Sequence, residues 1–149
     1  ATTCPGPARF GAGGDGWGVG ELANRHPRVN ILNPGPGVGG HCIAVDPWFI
    51  VDSAPQETDL IRTARRVNDA KPAYIAHLVM DAAKGLDRPT VACLGLAYKA
   101  DTDDLRESPA VDIVGLLADG MEADILVVEP HIDALPASLE GRVRLVDLF

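Results

Sequence analysis

Cysteine, basic residues and long apolar runs are all scarce in this chain of 149 residues. Its three cysteines are scattered, at Cys4, Cys42 and Cys93. This spacing argues against a disulfide framework and predicts a reducing cytoplasm. No apolar run reaches the length that a membrane-spanning helix needs, and no secretory leader with a basic start and an apolar core is recognisable. The sequence therefore predicts a cytoplasmic protein with no membrane partner.

Basic side chains are outnumbered, with 13 Lys and Arg against 21 Asp and Glu and a net charge of -8. Because binding to nucleic acid needs a basic face, nucleic acid is predicted not to be a partner. A small anionic ligand can still bind where positive charge is local. Candidates for such charge are Arg25, Arg28, Lys99 and Arg106.

The segment with the most reactive composition covers residues 33–47. Four residues within a window of six are glycines: Gly35, Gly37, Gly39 and Gly40. Glycines let a backbone turn tightly and approach a ligand closely. The segment then delivers Cys42 and, four residues later, Asp46. A glycine-rich loop that ends in a thiol predicts a nucleophile presented to a bound substrate. We call residues 35–45 the cysteine loop.

Gly35, Gly37 and Gly40 also satisfy the dinucleotide fingerprint G-x-G-x-x-G. That fingerprint needs a strand before it and a helix directly after it. Residues 29–32 are compatible with a short strand. Pro47 and the β-branched residues after Cys42 predict that no helix begins there. We therefore interpret the loop as something other than a dinucleotide site.

Metal binding is the other alternative for this segment. His26, His41, Cys42 and Asp46 are possible zinc ligands. Structural zinc sites usually show paired ligand spacings such as Cys-x-x-Cys, and none is present, so no metal is predicted. A lone cysteine is usually a small buried hydrophobe, which is our interpretation of the two other cysteines.

Two blocks of sequence, residues 23–49 and residues 95–109, resemble the UDP-glucose/GDP-mannose dehydrogenase family. The first block runs through Arg-His-Pro-Arg-Val-Asn into the cysteine loop and on to Asp-Pro-Trp-Phe. The second reads Gly-Leu-Ala-Tyr-Lys-Ala-Asp-Thr-Asp-Asp-Leu-Arg-Glu-Ser-Pro. The resemblance covers residues 22–149. Within the family, the histidine before Cys42 and the His-Pro-Arg-Val-Asn run are most similar to the sequences of members that oxidise UDP-N-acetyl-D-mannosamine.

The resemblance implies a four-electron oxidation of the C6 hydroxyl of a UDP-sugar to a carboxylate, with NAD as acceptor. Cys42 would form a thiohemiacetal and then a thioester, and Asp46 would order the hydrolytic water. From the residues alone, the alternative for Asp46 is a turn carboxylate before a proline. A sugar-nucleotide-binding or dimerisation module without chemistry is the competing hypothesis, and Cys42 with Asp46 favours the enzyme.

The resemblance also assigns binding roles. It implies that the sugar nucleotide contacts seven residues: His26, Arg28, Gly37, Gly39, Gly40, Tyr98 and Lys99. Arg28 would reach the substrate of a neighbouring subunit, and Arg106 would face NAD. From the residues alone, residues 25–28 are a surface loop and Arg106 belongs to a charged loop with three aspartates. If the site forms, residues 98–107 should fold over the cysteine loop.

The predicted fold class is α/β, with a helical central segment followed by a partial Rossmann-like, parallel-sheet UDP-sugar-binding domain. Residues 1–20 are predicted to be irregular, residues 21–88 to form the central helical region, and residues 89–149 to form part of the sheet domain. Apolar spacing predicts helices over 59–70, from Pro72 to near Gly85, and over 109–120 behind a Ser108 cap. Strands are predicted over 91–96 and 124–128.

The resemblance implies two further features of the assembly. The central helical region would pack two subunits into a homodimer. The family's NAD-binding domain and the segment with its catalytic lysine and asparagine find no match in this chain. The chain is therefore expected not to turn over by itself.

Overall fold

The computed structural model describes residues 16–31 and 35–147. The helices in this part of the chain are α1 (Gly16–Asn24), α2 (Asp46–Ser53), α3 (Asp59–Asp69), α4 (Lys71–Ala82) and α5 (Pro109–Gly120). The strands are β1 (Thr90–Leu94), β2 (Asp124–Val128) and β3 (Arg144–Leu145). None of the described helices is long and apolar enough to cross a membrane.

The sheet is parallel throughout, with the strand order β1-β2-β3. Thr90 pairs with Asp124 at one end of the β1–β2 ladder and Leu94 pairs with Val128 at the other. Helix α5 connects these two strands, so β1, α5 and β2 form the predicted parallel crossover unit. The predicted α/β class, with helices preceding a parallel sheet, is confirmed.

One apolar core joins the central helices to the sheet. Its buried residues come from α4, α5, the sheet, the segment after β1 and the segment before β3: Ala76, Leu96, Ile113, Val114, Leu117, Ile125, Val127, Leu139 and Val143. Ala76 of α4 is only 2% exposed, so the two predicted regions share this core. Burying these side chains removes apolar surface from water, which is the dominant stabilising term.

Most of the predicted elements are observed with small shifts at their ends. Helix α5 begins as predicted, since the Ser108 hydroxyl accepts a hydrogen bond from the Ala110 N–H at 3.3 Å and Pro109 occupies the first turn. The strand predicted over 91–96 is observed at Thr90–Leu94, so it begins one residue earlier and ends two residues earlier than predicted. Strand β3 was not predicted, because two residues are too short to show alternation.

Two predictions about local structure are wrong. Pro47 does not prevent a helix: α2 begins at Asp46, where the missing N–H of a proline in the first turn costs nothing. Residues 16–20, predicted to be irregular, belong to α1. Each helical glycine costs about 1 kcal/mol, and Trp17, which borders an apolar cleft with Tyr74 and Leu78, stays 47% exposed. Residues 1–15 lie outside the described residues.

A buried carboxylate fixes the carboxyl end of the sheet. Glu129 follows β2 and is 7% exposed. Its Oε2 accepts hydrogen bonds from the N–H groups of Leu96 at 2.8 Å and Ala97 at 3.0 Å, and its Oε1 accepts one from His131. Burial acts to raise the pKa of Glu129, but the three N–H donors outweigh it and lower the pKa. The backbone that leads into Tyr98 is thereby held to β2.

Replacing this carboxylate predicts a pH-dependent loss of stability. Glu129→Gln should lower the free energy of unfolding at pH 7 by about 1–3 kcal/mol, because one amide oxygen cannot accept all three bonds. Since the folded pKa lies below the ordinary value of 4.5, the stabilisation is present above that pH and is lost as the pH falls through the folded pKa. The gap between wild type and variant, measured by urea unfolding, should therefore narrow below pH ~4.

The exposed Glu122 provides the control, since Glu122→Gln should change stability by no more than about 0.5 kcal/mol at any pH. A gap for Glu129→Gln that stays constant from pH 7 to pH 3 would contradict the assigned role of the carboxylate.

Candidate active site

The two blocks of sequence that carry the family resemblance pack directly against each other. A Cβ built on Gly39 would lie 2.1 Å from the carbonyl oxygen of Glu107 and 2.7 Å from Cδ of Pro109. A Cβ built on Gly40 would lie 2.9 Å from Cε2 of Tyr98. Real Cβ atoms do not make such contacts, so only glycine fits at these positions. Residues 98–107 thus meet the cysteine loop, as predicted.

The glycines of the loop serve two different needs. Gly37 and Gly40 have φ angles of +137° and +92°, which L side chains rarely adopt. Gly39 is required by the closeness of Glu107 instead. All three α-carbons face protein atoms of the second block. Contact of this backbone with a sugar nucleotide stays a prediction.

Cys42 lies exposed on a tight turn that leads into α2. Its carbonyl oxygen accepts hydrogen bonds from the N–H groups of Val45 at 3.1 Å and Asp46 at 2.8 Å. Asp46 is the first residue of α2 and is also exposed. The turn therefore presents a thiol and a carboxylate to solvent within one helical turn of each other.

Arg106 brings positive charge to this loop through a charge-paired network. Its guanidinium donates from Nε to Oδ1 of Asp104 at 2.8 Å and from Nη2 to Oδ2 at 2.7 Å. The same Nη2 lies 3.4 Å from Nδ1 of His41, whose Nδ1 is 3.8 Å from Asp104. The network joins the residue before Cys42 to the second block.

The pKa values of the network follow from these contacts. The hydrogen bonds from Arg106 hold the pKa of Asp104 well below its usual range. The pKa of Arg106 is raised, chiefly by its hydrogen bond to Asp104, with smaller electrostatic contributions from Tyr98 and Cys42. Arg106 therefore carries its charge close to the thiol. The position of Arg106 agrees with its place in a charged loop, and it also agrees with a place in the site.

Lys99 and Tyr98 lie at the same junction. The Lys99 ammonium is 5.5 Å from the centre of the Tyr98 ring, which contacts Gly40. Lys99 is exposed and Tyr98 is half-buried. An ammonium free to meet solvent beside a loop of small residues is suited to a phosphate or ribose oxygen.

His26 and Arg28 are not brought to this junction. Both are exposed in the turn after α1, where His26 Nδ1 accepts a hydrogen bond from the Arg28 N–H at 3.2 Å. In residues 16–31 and 35–147, their hydrogen bonds do not reach the cysteine loop or the second block. Contact of these two residues with the substrate stays a prediction.

The alternatives weighed for the loop find no geometric support. Helix α2 begins six residues after Gly40, and residues 29–31 form no strand, so the loop lacks the strand–turn–helix frame of a dinucleotide site. No three His, Cys, Asp or Glu side chains in the described part of the chain are grouped to hold a metal ion. Cys93 is half-buried on β1, and burial raises the pKa of its thiol. Cys4 lies outside the described residues.

Two polar residues of α3 were missed by the sequence analysis. Asn68, 5% exposed, accepts from the Val38 N–H at 2.7 Å and donates to the Val38 carbonyl at 3.0 Å. Arg65, 8% exposed, donates to the Ile43 carbonyl at 3.3 Å. Their spacing of three residues is visible in the sequence, but polar residues on a helix usually indicate a solvent face.

The close packing at Gly39 predicts a steric defect. Gly39→Ala should separate the cysteine loop from Glu107 and lower the free energy of unfolding by at least about 2 kcal/mol, because overpacking displaces the backbone. Gly35→Ala is the matched control, since a Cβ there would meet nothing within 4 Å. Thermal unfolding of the two variants provides the comparison, and equal stability would show that the blocks do not pack this closely.

Comparison with known proteins covers the same two regions. The model of the UDP-glucose/GDP-mannose dehydrogenase family central domain matches residues 10–70, and the model of the UDP binding domain of that family matches residues 92–148. The first match starts earlier than residue 22, where the resemblance was expected to begin. Helix α1 lies within it.

Similar curated proteins are bacterial dehydrogenases. An NDP-N-acetyl-D-galactosaminuronic acid dehydrogenase of Ralstonia solanacearum is 63% identical over 84% of this chain and 30% of its own length. A UDP-N-acetyl-D-mannosamine dehydrogenase of Campylobacter jejuni is 57% identical over 89% of this chain and 33% of its own length. The chain thus spans about a third of the length of the curated relatives it matches.

The structure has solved counterparts as well. The UDP-N-acetyl-mannosamine dehydrogenase Cap5O from S. aureus superimposes with a TM-score of 0.67 at 47% identity, covering 78% of this chain and 28% of that one. Two family models that between them match most of the sequence agree with this likeness. The chain belongs to the UDP-glucose/GDP-mannose dehydrogenase family.

Proposed function

We propose that this chain is the part of an NAD-dependent nucleotide-sugar 6-dehydrogenase that carries the nucleophile and grips the UDP-sugar. The observation that carries the proposal is the packing of the cysteine loop against Tyr98 and Glu107. A thiol, a carboxylate, an ammonium and a guanidinium thereby border one junction between the central block and the UDP-binding block. The proposed substrate is UDP-N-acetylmannosamine and the proposed product is its uronic acid.

The proposed chemistry begins at the exposed thiol of Cys42. Its thiolate adds to the carbonyl carbon of the aldehyde formed from the C6 hydroxyl; a C–S bond forms and the oxygen takes a proton. Two equivalents of NAD, when bound, would supply the hydride acceptors for the two oxidations: that of the C6 hydroxyl to the aldehyde, and that of the thiohemiacetal to a thioester with release of the hydroxyl proton. Water then attacks the thioester carbon, the C–S bond breaks, and the carboxylate and the free thiol are released.

Two neighbouring groups support this sequence. Arg106 attracts the negative charge of the thiolate, an interaction that also contributes to the raised pKa of Arg106. Asp46, on the same turn as the thiol, is the proposed acceptor that orders the attacking water. An exposed thiol with these partners has no use in a pure binding or dimerisation module, which favours the enzyme.

Recognition of the nucleotide is assigned to the second block and the glycine backbone. Lys99 is proposed to meet the phosphates, and Tyr98 to hold the cysteine loop in place while it borders the sugar. The names of the two curated relatives both refer to N-acetylated amino sugars, which favours a substrate of that class over UDP-glucose.

NAD has only one proposed contact here. The fingerprint glycines do not fit a dinucleotide, because Gly40 is buried against Tyr98 and Gly37 lies against Pro109. Arg106 fits better, since its side chain is 67% exposed although paired with Asp104. No step of hydride transfer is assigned to a residue of this chain, and we propose that the chain alone is inactive.

The proposed assembly is a cytoplasmic homodimer that forms through the central helical region. His26 and Arg28 lie exposed in the turn after α1. A contribution of Arg28 to the site of a second subunit agrees with that position.

Alkylation of the thiols tests the proposed nucleophile. Brief iodoacetamide treatment of the folded chain, followed by mass-spectrometric mapping, should modify Cys42 at least tenfold faster than Cys93, because burial raises the pKa of the Cys93 thiol and restricts access to it. Cys42→Ser should leave the rate at Cys93 unchanged. Equal rates at the two cysteines in folded protein would argue against a reactive Cys42.

Binding measurements test the proposed substrate site. Lys99→Ala should weaken binding of UDP-N-acetylmannosamine roughly ten- to a hundredfold, since a charge-assisted contact contributes about 1.5–3 kcal/mol. Arg106→Ala should barely change it. Calorimetry provides the measurement, with UDP-N-acetylmannosamine, UDP-N-acetylgalactosamine, UDP-glucose and NAD as ligands. UDP-N-acetylmannosamine should bind in preference to UDP-glucose, and NAD should not bind measurably.

Lys84→Ala is the matched control, because Lys84 is exposed and lies just after the end of α4, where it pairs with Asp81. Equal affinity in the Lys99→Ala and Lys84→Ala variants would remove Lys99 from the site. Tight binding of NAD would restore the dinucleotide interpretation of the glycines.

A further inference from the structure

Helix α3 holds the cysteine loop at two points, one on each side of the thiol. Asn68 makes two hydrogen bonds to the backbone of Val38, and Arg65 makes one to the carbonyl of Ile43. Val38 and Ile43 flank Gly39, Gly40, His41 and Cys42. The segment that contains the thiol is therefore a short span with both ends attached to one helix.

We propose that Asn68 and Arg65 are positioning residues that keep Cys42 beside Arg106. The proposal rests on the proposed function of Cys42 as the nucleophile. It concerns the backbone that carries the thiol, since neither side chain needs to touch the substrate.

Burial of these two side chains supports a positioning role. Asn68 and Arg65 are 5% and 8% exposed, and a buried polar group is costly unless it is hydrogen-bonded. Asn68 meets this cost by pairing with both the N–H and the carbonyl of Val38, as a neighbouring strand would. No strand runs beside the cysteine loop in the described residues, so this side chain supplies the missing partner.

Arg65 is itself oriented before it reaches the loop. Its Nη2 donates to Oδ1 of Asp69, one turn further along α3, while Nη1 donates to Ile43. Its Nε is buried and makes no hydrogen bond to the described residues. The Nε donor of Arg65 thus stays unpaired among the described residues, while Nη1 holds the carbonyl of Ile43.

The composition of the loop makes such attachment necessary. Glycine loses more conformational freedom on folding than any other residue, so a loop with four glycines is held in one conformation only by external contacts. One side of the loop meets Tyr98 and Glu107, and the other meets α3. Without the α3 contacts, only the packing against Tyr98 and Glu107 holds the loop, and the turn that carries Cys42 can shift relative to the guanidinium of Arg106.

The first test compares Asn68→Ala with Asn24→Ala. Asn24 is the matched control because it makes the same pair of hydrogen bonds to Ile31, at 2.6 and 2.9 Å, in a turn without a thiol. Asn68→Ala should slow iodoacetamide alkylation of Cys42 at least threefold. The thiol is already exposed, so the reagent reaches it no more easily, and the thiol is no longer held beside the positive charge of Arg106. Asn24→Ala should change that rate by less than a factor of two.

Amide hydrogen exchange gives a measurement that does not depend on the thiol. Exchange at Val38 should be at least tenfold faster in Asn68→Ala than in wild type, because its N–H loses its acceptor. Unchanged exchange at Val38 would overturn the proposal, whether or not Cys42 is a nucleophile. A wild-type protein whose Cys42 is no faster than Cys93 would instead overturn the proposed function.

The second test uses rescue at Arg65. Arg65→Met removes the donor and should slow alkylation of Cys42, whereas Arg65→Lys retains one donor and should restore at least half of the wild-type rate. Arg142→Met is the control, because Arg142 also joins a carboxylate to backbone carbonyls, at Asp119, Ser138 and Gly115. If Asn68→Ala unfolds, Cys42 and Cys93 will both react at the rate of a free thiol, and the Arg65 variants then decide the test. Equal rates in the Met and Lys variants would overturn the proposal.

Discussion

The close approach of the Gly39 backbone to Glu107 and Pro109 is the contact on which the site depends. It joins the end of the glycine-rich segment to the turn before α5, and no side chain larger than hydrogen fits between them. Because interiors are densely packed, this approach fixes the distance between two parts of the chain that lie almost seventy positions apart. The loop that carries the thiol and the loop that carries Lys99 and Arg106 meet as a consequence.

Backbone groups near the junction are satisfied mainly by side chains, since regular secondary structure ends there. Glu129 accepts the N–H groups that follow β1, the Ser108 hydroxyl donates to the Leu96 carbonyl at 2.5 Å, and Asn68 pairs with Val38. An unpaired buried backbone group is costly, so each loop that carries a site residue has a dedicated partner. The irregular backbone is thereby as well determined as the sheet.

Charge at the junction is arranged within pairs. Asp104 accepts two hydrogen bonds from Arg106 and thereby orients the guanidinium toward His41 and the loop. The Arg106 side chain is 67% exposed and that of Asp104 is 17% exposed, so water screens the pair from the arginine side. The pair therefore contributes little to stability, and its role is to orient the guanidinium. The proposed UDP-sugar site accounts for the cations at this junction in a chain with a net charge of -8.

The sequence by itself determined the parallel α/β architecture, the cap and start of α5, and the two blocks that meet around Cys42, because apolar periodicity, turn chemistry and motif order are local properties. It failed at Pro47, where position in the first turn reverses the effect of proline, and at α1, which forms although three of its nine residues are glycines. The roles of Asn68, Arg65 and Glu129 were decided only by the tertiary structure. Each of these polar side chains hydrogen-bonds backbone groups between 22 and 33 residues away, and no local pattern encodes a partner at that distance.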